Sequence, residues 1–208
     1  MSTTLPTRFA RLLSGLVLFG VSVALLVRAD LGLASWDVLH QGLAEWTGLP
    51  LGLVVNAVAV AVLLLWIPLR QRPGVGTVGN AVVVGLAVDA ALAVLPQVGP
   101  LTLRIALLVA GIVLNGVATA LYLGARLGPG PRDGLMTGLA ARGLPIRRVR
   151  TLIELAVLAV GWLLGGAVGP GTLLYAVGIG PIVHHLIPTF ALPAPAGSSD
   201  RSASPCPA

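Results

Sequence analysis

Six stretches of this chain are each long and apolar enough to cross a bilayer, at 9–27, 51–69, 77–95, 103–123, 151–168 and 172–190. A helix needs roughly 20 largely apolar residues to span the hydrocarbon layer, so few folds remain open to a chain of 208 residues. Core helices of a water-soluble domain are excluded by composition: 56% of residues are hydrophobic and only 10% charged, against about 25% charged in soluble domains. The fold class is an all-α polytopic membrane protein with six transmembrane helices. A Pro/Ala/Ser-rich tail over 191–208 is expected to be disordered in the cytoplasm.

The few charges orient the spans. All 13 basic residues are arginine, and arginine is retained on the cytoplasmic side because it resists translocation. Six spans with both termini inside leave 11 arginines on cytoplasmic segments and only Arg28 and Arg104 outside. Two further helix-like runs, Trp36 to Trp46 and Arg132 to Arg142, are too short and too polar to cross; counting them as spans would reduce the split to 8 against 5. The first span, with Arg8 and Arg11 before it and Val27-Arg28-Ala29 after it, has the outline of a signal peptide. It has a counterpart in mid-chain, however, and is expected to stay.

That counterpart belongs to an internal repeat. Leu18 to Ala44 laid over Leu114 to Ala140 without a gap gives 13 identities in 27 positions, among them Gly20, Gly32, Asp37 and Gly42. Chance in so Leu-, Ala- and Gly-rich a chain would give roughly one in eight. One residue of slippage later, Gly48-Leu49-Pro50 matches Gly143-Leu144-Pro145. Gly76, Thr77, Ala81, Val82, Gly85 and Val88 then fall over Gly171, Thr172, Ala176, Val177, Gly180 and Val183. The repeating unit has three spans, and an odd number makes the second copy enter from the opposite side. The reading is therefore two inverted membrane repeats, 9–97 and 103–190, each with a short helix after its first span. The matching linkers are biased to suit: the first holds Arg28, Asp30, Asp37 and Glu45, the second six arginines and Asp133.

The string Ala29-Asp-Leu-Gly-Leu-Ala-Ser-Trp-Asp-Val-Leu-His-Gln-Gly-Leu, its counterpart Leu127-Gly-Pro-Gly-Pro-Arg-Asp-Gly-Leu-Met-Thr-Gly-Leu and the closing Gly169-Pro-Gly-Thr-Leu resemble bacterial YitT/YczE-type integral membrane proteins. The likeness covers about 11–187. It implies a multi-span protein of the bacterial cytoplasmic membrane without an established biochemical activity, in a family where one relative is linked to regulation of peptide antibiotic production. It supplies no catalytic or ligand-binding residues.

Candidate chemistry follows from the few polar residues. Gly-rich stretches leading into short helices are tolerated at membrane depth where they line a cavity, and inverted-repeat transporters bind substrate at such interruptions. Amphipathic helices lying in the headgroup layer, the first anchored by Trp36 and Trp46, fit the same pattern equally well. Asp37 and Asp133, in the first turns of these helices, could form a symmetric carboxylate pair for a cation or proton; first-turn Asp also caps helices anywhere. Asp89 lies within a span and overlies His184 in the repeat register, so the two could form a proton-coupled pair or simply be solvated helix ends. Arg147, Arg148 and Arg150 form a basic cytoplasmic patch suited to anionic headgroups or a partner, and Arg150 with Glu154 makes an i, i+4 ion pair. Gly161-x-x-x-Gly165 and Gly165-x-x-x-Gly169 would serve intramolecular packing or a homodimer alike. Pro68 and Pro181 are expected to kink or end their spans near the ends.

Other classes find little support. There is no lysine, the single cysteine, Cys206, sits in the tail, and three histidines leave little from which to assemble a metal site. No cofactor, enzymatic activity or nucleic-acid partner is expected. The leading expectation is a small-solute or ion permease-like protein in the bacterial inner membrane. The rival is a membrane-embedded regulatory or accessory protein acting through its cytoplasmic Arg-rich loop.

Overall fold

A computed structural model describes residues 4–192 and consists, among the described residues, of eight α-helices without strands. They are α1 (Leu5–Ala29), α2 (Ser35–Thr47), α3 (Leu51–Leu69), α4 (Val75–Val94), α5 (Leu101–Gly124), α6 (Pro131–Ala140), α7 (Ile146–Leu163) and α8 (Pro170–Phe190). Five of them, α1, α3, α4, α5 and α8, are long and apolar enough to cross a membrane. Most of the Pro/Ala/Ser tail lies outside the described residues. Its expected start at 191 is too early, because Leu192 is buried and its N–H donates to the Gly124 carbonyl (3.0 Å).

The distribution of side chains is that of a lipid-facing protein. Leu64, Ile67, Leu86, Leu152, Leu173 and Val177 are exposed, whereas Arg8, Ser22, Asp37, His40, Thr77 and Asn115 are buried. A soluble protein avoids apolar surface on this scale; in lipid it is the ordinary solvent-facing surface, and polar groups turn inward to find partners.

α1 and α5 pack antiparallel as the central pair, α4 lies against α1 and α8 against α5. Arginines tie helix ends across this core. Arg8, near the start of α1, donates to the Ala125 carbonyl at the end of α5 (3.3 Å), and Arg104, near the start of α5, donates to the Ala29 carbonyl at the end of α1 (2.8 Å). Arg104 also binds the Asp30 carbonyl and carboxylate. Arg28 reaches Leu92 at the end of α4 (2.6 Å), Arg11 reaches Phe190 at the end of α8 (3.1 Å), and Arg142 reaches Pro68 at the end of α3 (2.7 Å). The last carbonyls of a helix lack partners and carry the negative end of its dipole, so a guanidinium is well placed there.

The bends before the short helices are alike. Gly32 and Gly128 both have positive φ, +110° and +128°, which non-glycine side chains rarely adopt. Beside them the Gly171 N–H donates to Leu31 O and the Gly76 N–H to Leu127 O, both at 2.8 Å. Thr77 and Thr172 accept from the amides of Gly74 and Gly169 and so close matching caps on α4 and α8.

Two expectations change at the helix ends. The fifth apolar stretch, 151–168, is not one helix: α7 begins earlier, takes in Arg147, Arg148 and Arg150, and stops at Leu163. Gly165 then turns with φ +102°, and 166–167 run over α2, where the Ala167 amide donates to Gln41 Oε1 (2.9 Å). Pro68 does close α3, but Pro181 lies in the interior of α8, as does Pro188. Gly161 does not face outward; a Cβ there would collide with the backbone of Leu39 and Val38 on α2.

Candidate functional site

α2 and α6 start beside one another. Arg132, the second residue of α6, lies over the indole ring of Trp36, the second residue of α2, with its guanidinium carbon 5.1 Å from the ring centroid. Its Nη2 also lies 3.4 Å from Asp37 Oδ1. Asp37 is almost fully buried, and His40 Nδ1 lies 3.3 Å from the same oxygen, an electrostatic contact rather than an aligned hydrogen bond. Neither α2 nor α6 is among the spanning helices. Burial acts to raise the Asp37 carboxyl, but the contact with His40 and the charge of Arg132 outweigh it and hold the group below its ordinary value. Burial holds His40 below its ordinary value, with Asp37 opposing and Arg132 reinforcing.

These helix starts border a cavity of about 470 Å³ whose walls come from α1, α2, α4, α5, α6, α7 and α8. Asp133, in the first turn of α6, is exposed to it, and Tyr122 on α5 donates a hydrogen bond to Asp133 Oδ2 (3.3 Å). Tyr175 on α8 donates to Asn115 Oδ1 (2.9 Å), whose amide donates to Ser22 on α1 (2.8 Å). The chain's two tyrosines therefore both line the cavity, together with Phe19 and Trp36. Arg150 and Glu154 line it as a pair 2.9 Å apart. His184 also lines it and stacks edge-on against His185, with ring centroids 5.8 Å apart.

The residues singled out from sequence are distributed as follows. Asp37 and Asp133 flank Arg132, but one is buried in an ionic cluster and the other open to the cavity, so they are not environmental equivalents. Asp89 is engaged away from the cavity: its Oδ1 accepts from the Gly52 amide (2.7 Å), an orphan donor in the first turn of α3, while His184 faces the cavity. The basic patch is divided, with Arg147 and Arg148 outward at the start of α7 and Arg150 at the cavity. Sequence reasoning passed over Tyr122, Tyr175, Asn115 and Arg132. The signals were available in two tyrosines in an aromatic-poor chain and an asparagine in mid-span.

An apolar exterior, a handful of buried polar side chains and several long apolar helices define a multi-pass membrane protein with a cavity lined by polar and apolar groups together. The chain belongs to DUF6198, a family of unknown function whose model matches residues 6–188. It is 41% identical over 177 residues to an uncharacterized protein of Haemophilus influenzae, covering 85% of this chain and 81% of that one. It is 33% identical over 194 residues to the uncharacterized membrane protein YczE of Bacillus subtilis, covering 90% and 89%, which agrees with the resemblance seen in the motifs. The uncharacterized protein YyaS of the same organism is 28% identical over 181 residues, 84% and 89%. No solved structure matches.

Proposed function

We propose that the protein is a small-solute or ion permease of the bacterial inner membrane, built as two inverted repeats of three spans, with both termini cytoplasmic. The observation that carries this reading is the cavity bordered by the starts of two short, non-spanning helices, one in each half of the chain, with Tyr122, Arg132, Asp133 and Tyr175 set among its apolar lining. Transporters of inverted-repeat design bind solute at such a place, and a cavity of a few hundred Å³ with a small number of fixed polar groups suits a small ligand.

The inverted repeat is supported by contacts that recur when the halves are exchanged. Arg8 to Ala125 becomes Arg104 to Ala29 on adding or subtracting 96, and Gly76 to Leu127 becomes Gly171 to Leu31 on allowing for the one-residue slip. A contact that maps onto itself with the partners swapped is what a two-fold relation between halves produces. In this reading α7 crosses with α8, its 18 residues giving roughly 27 Å of helix at 1.5 Å per residue, with the charged first turn lying in the cytoplasmic headgroups. α2 and α6 are re-entrant, entering from opposite faces to meet at Trp36 and Arg132.

Asp133, held by Tyr122, is the primary ligand group; Asp37 orients Arg132 from behind. A thermal-shift screen of the detergent-purified protein against amino acids, sugars and small organic ions tests this. A solute that raises Tm for the wild type, and no longer does so for Asp133→Asn or Tyr122→Phe variants of unchanged Tm, supports it; stabilisation that survives both contradicts it. The regulatory reading retains one supporting observation, the outward Arg147 and Arg148. It gains if neutralising those two abolishes a cellular phenotype that Asp133→Asn leaves intact.

A further inference from the structure

The two halves differ most in how their last two long helices stand. α4 packs along α3, whereas α8 leans on α5 and does not pack along α7. The α3–α4 seam is closed at three points. Asp89 Oδ1 accepts from the Gly52 amide (2.7 Å), Asn56 Oδ1 accepts from the Gly85 amide (3.0 Å), and the Asn56 amide donates to Val82 O (3.2 Å). Gly85 is where the helices cross, since a Cβ there would collide with the Gly52 carbonyl and with Asn56.

The repeat register carries Gly52, Asn56, Gly85 and Asp89 onto Arg147, Thr151, Gly180 and His184. None of these is engaged as its counterpart is. Thr151 and His184 are exposed, and nothing among the described residues lies within 4 Å of a Cβ built on Gly180. A glycine inside an apolar helix weakens it, and Gly85 has a packing reason that Gly180 lacks in this state. The open α7–α8 seam is also where the cavity lies, since Glu154 on α7 and Gly180 and His184 on α8 line it.

We propose that the two seams exchange: α8 closes on α7 with Gly180 as the crossing point, the α3–α4 seam opens, and the cavity is thereby presented to the other face of the membrane. Asp89 then leaves Gly52 and faces the cavity as His184 does now, so the two register-related residues alternate rather than meet. This deepens the permease reading and rests on it for what the cavity carries, but the motion itself needs no solute.

Two cysteine reporters in a Cys206→Ala background, in proteoliposomes, test the exchange. Thr151→Cys/Gly180→Cys should cross-link with an oxidant or a short bis-thiol reagent in a large fraction of molecules. Val88→Cys, fully buried on α4 beside α3 and the counterpart of the cavity-lining Val183, should react with a membrane-permeant maleimide. That labelling should rise severalfold when the 151/180 link is in place, since the link holds the α3–α4 seam open. Gly180→Trp, which fills open space, should leave Tm unchanged and slow Val88→Cys labelling at least tenfold by preventing closure. Absence of the 151/180 cross-link, or Val88→Cys labelling indifferent to both the link and Gly180→Trp, overturns the proposal. If both reporters respond and no solute is bound or carried, the exchange stands and the permease reading falls.

Discussion

At the scale of single residues, the arginines serve two ends at once. Their side bias is visible in the sequence, but their hydrogen bonds to helix-terminal carbonyls are not, because a main-chain acceptor leaves no trace in the residues that supply it. Arg104 shows this: it is one of two arginines expected outside, and the structure shows why that position keeps its charge, in Ala29, Asp30 and the end of α1. Arg104→Gln should lower stability in detergent by about 1–2 kcal/mol, the range for a charged hydrogen bond at a helix end, read as a fall in Tm; an unchanged Tm would contradict the capping role. The Asp37–His40 pair adds a pH dependence. Both groups are held below their ordinary values. Folding therefore favours ionised Asp37 and neutral His40, a contribution fully present above the unfolded values and lost as pH falls through the folded ones. Tm should drop between pH 7 and 5, and His40→Asn should flatten that slope; a Tm that rises on acidification would reverse the assignment.

At the scale of elements, hydropathy located the helices well where apolarity and helix limits coincide, as at Leu51–Leu69, which the structure reproduces. It failed for the fifth stretch, since Gly165 ends α7 through its backbone conformation and continued apolarity beyond it reflects packing over α2. Asp89 was conspicuous in the sequence as a carboxylate in a span, but its partner was not, because the orphan amide of Gly52 belongs to another helix. The contacts of the short helices show a size exchange that neither half reveals alone. Gly134 on α6 makes room for the Trp66 ring on α3, and at the corresponding place Gly161 on α7 makes room for the α2 backbone at Val38 and Leu39. Trp66 also donates its indole N–H to Pro131 O (3.0 Å). Gly134→Val should cost about 2–3 kcal/mol as an overpacked contact, with part of the loss recovered by adding Trp66→Leu. Purification yield and Tm of the two variants report it, and a double variant no better than the single would show the clash lies elsewhere.

At the scale of the whole molecule, the outline was legible because the long apolar stretches and the gapless self-match of 18–44 with 114–140 both stand in the sequence. What the sequence could not supply was that the α3–α4 seam is closed and the α7–α8 seam open: Gly85 and Gly180 match in register, and the changes from Gly52, Asn56 and Asp89 to Arg147, Thr151 and His184 do not say which helices meet. The central claim is that the two copies cross the membrane in opposite directions. Glu45, in the last turn of α2, and Arg142, two residues past the end of α6, are both exposed just after the matched segments 18–44 and 114–140. Single Glu45→Cys and Arg142→Cys variants on a Cys206→Ala background, treated with a membrane-impermeant maleimide in intact cells and in inverted vesicles, test the claim most directly. Labelling of Glu45→Cys from outside and of Arg142→Cys only from the cytoplasmic face is the predicted result, and labelling of both from one face would contradict it.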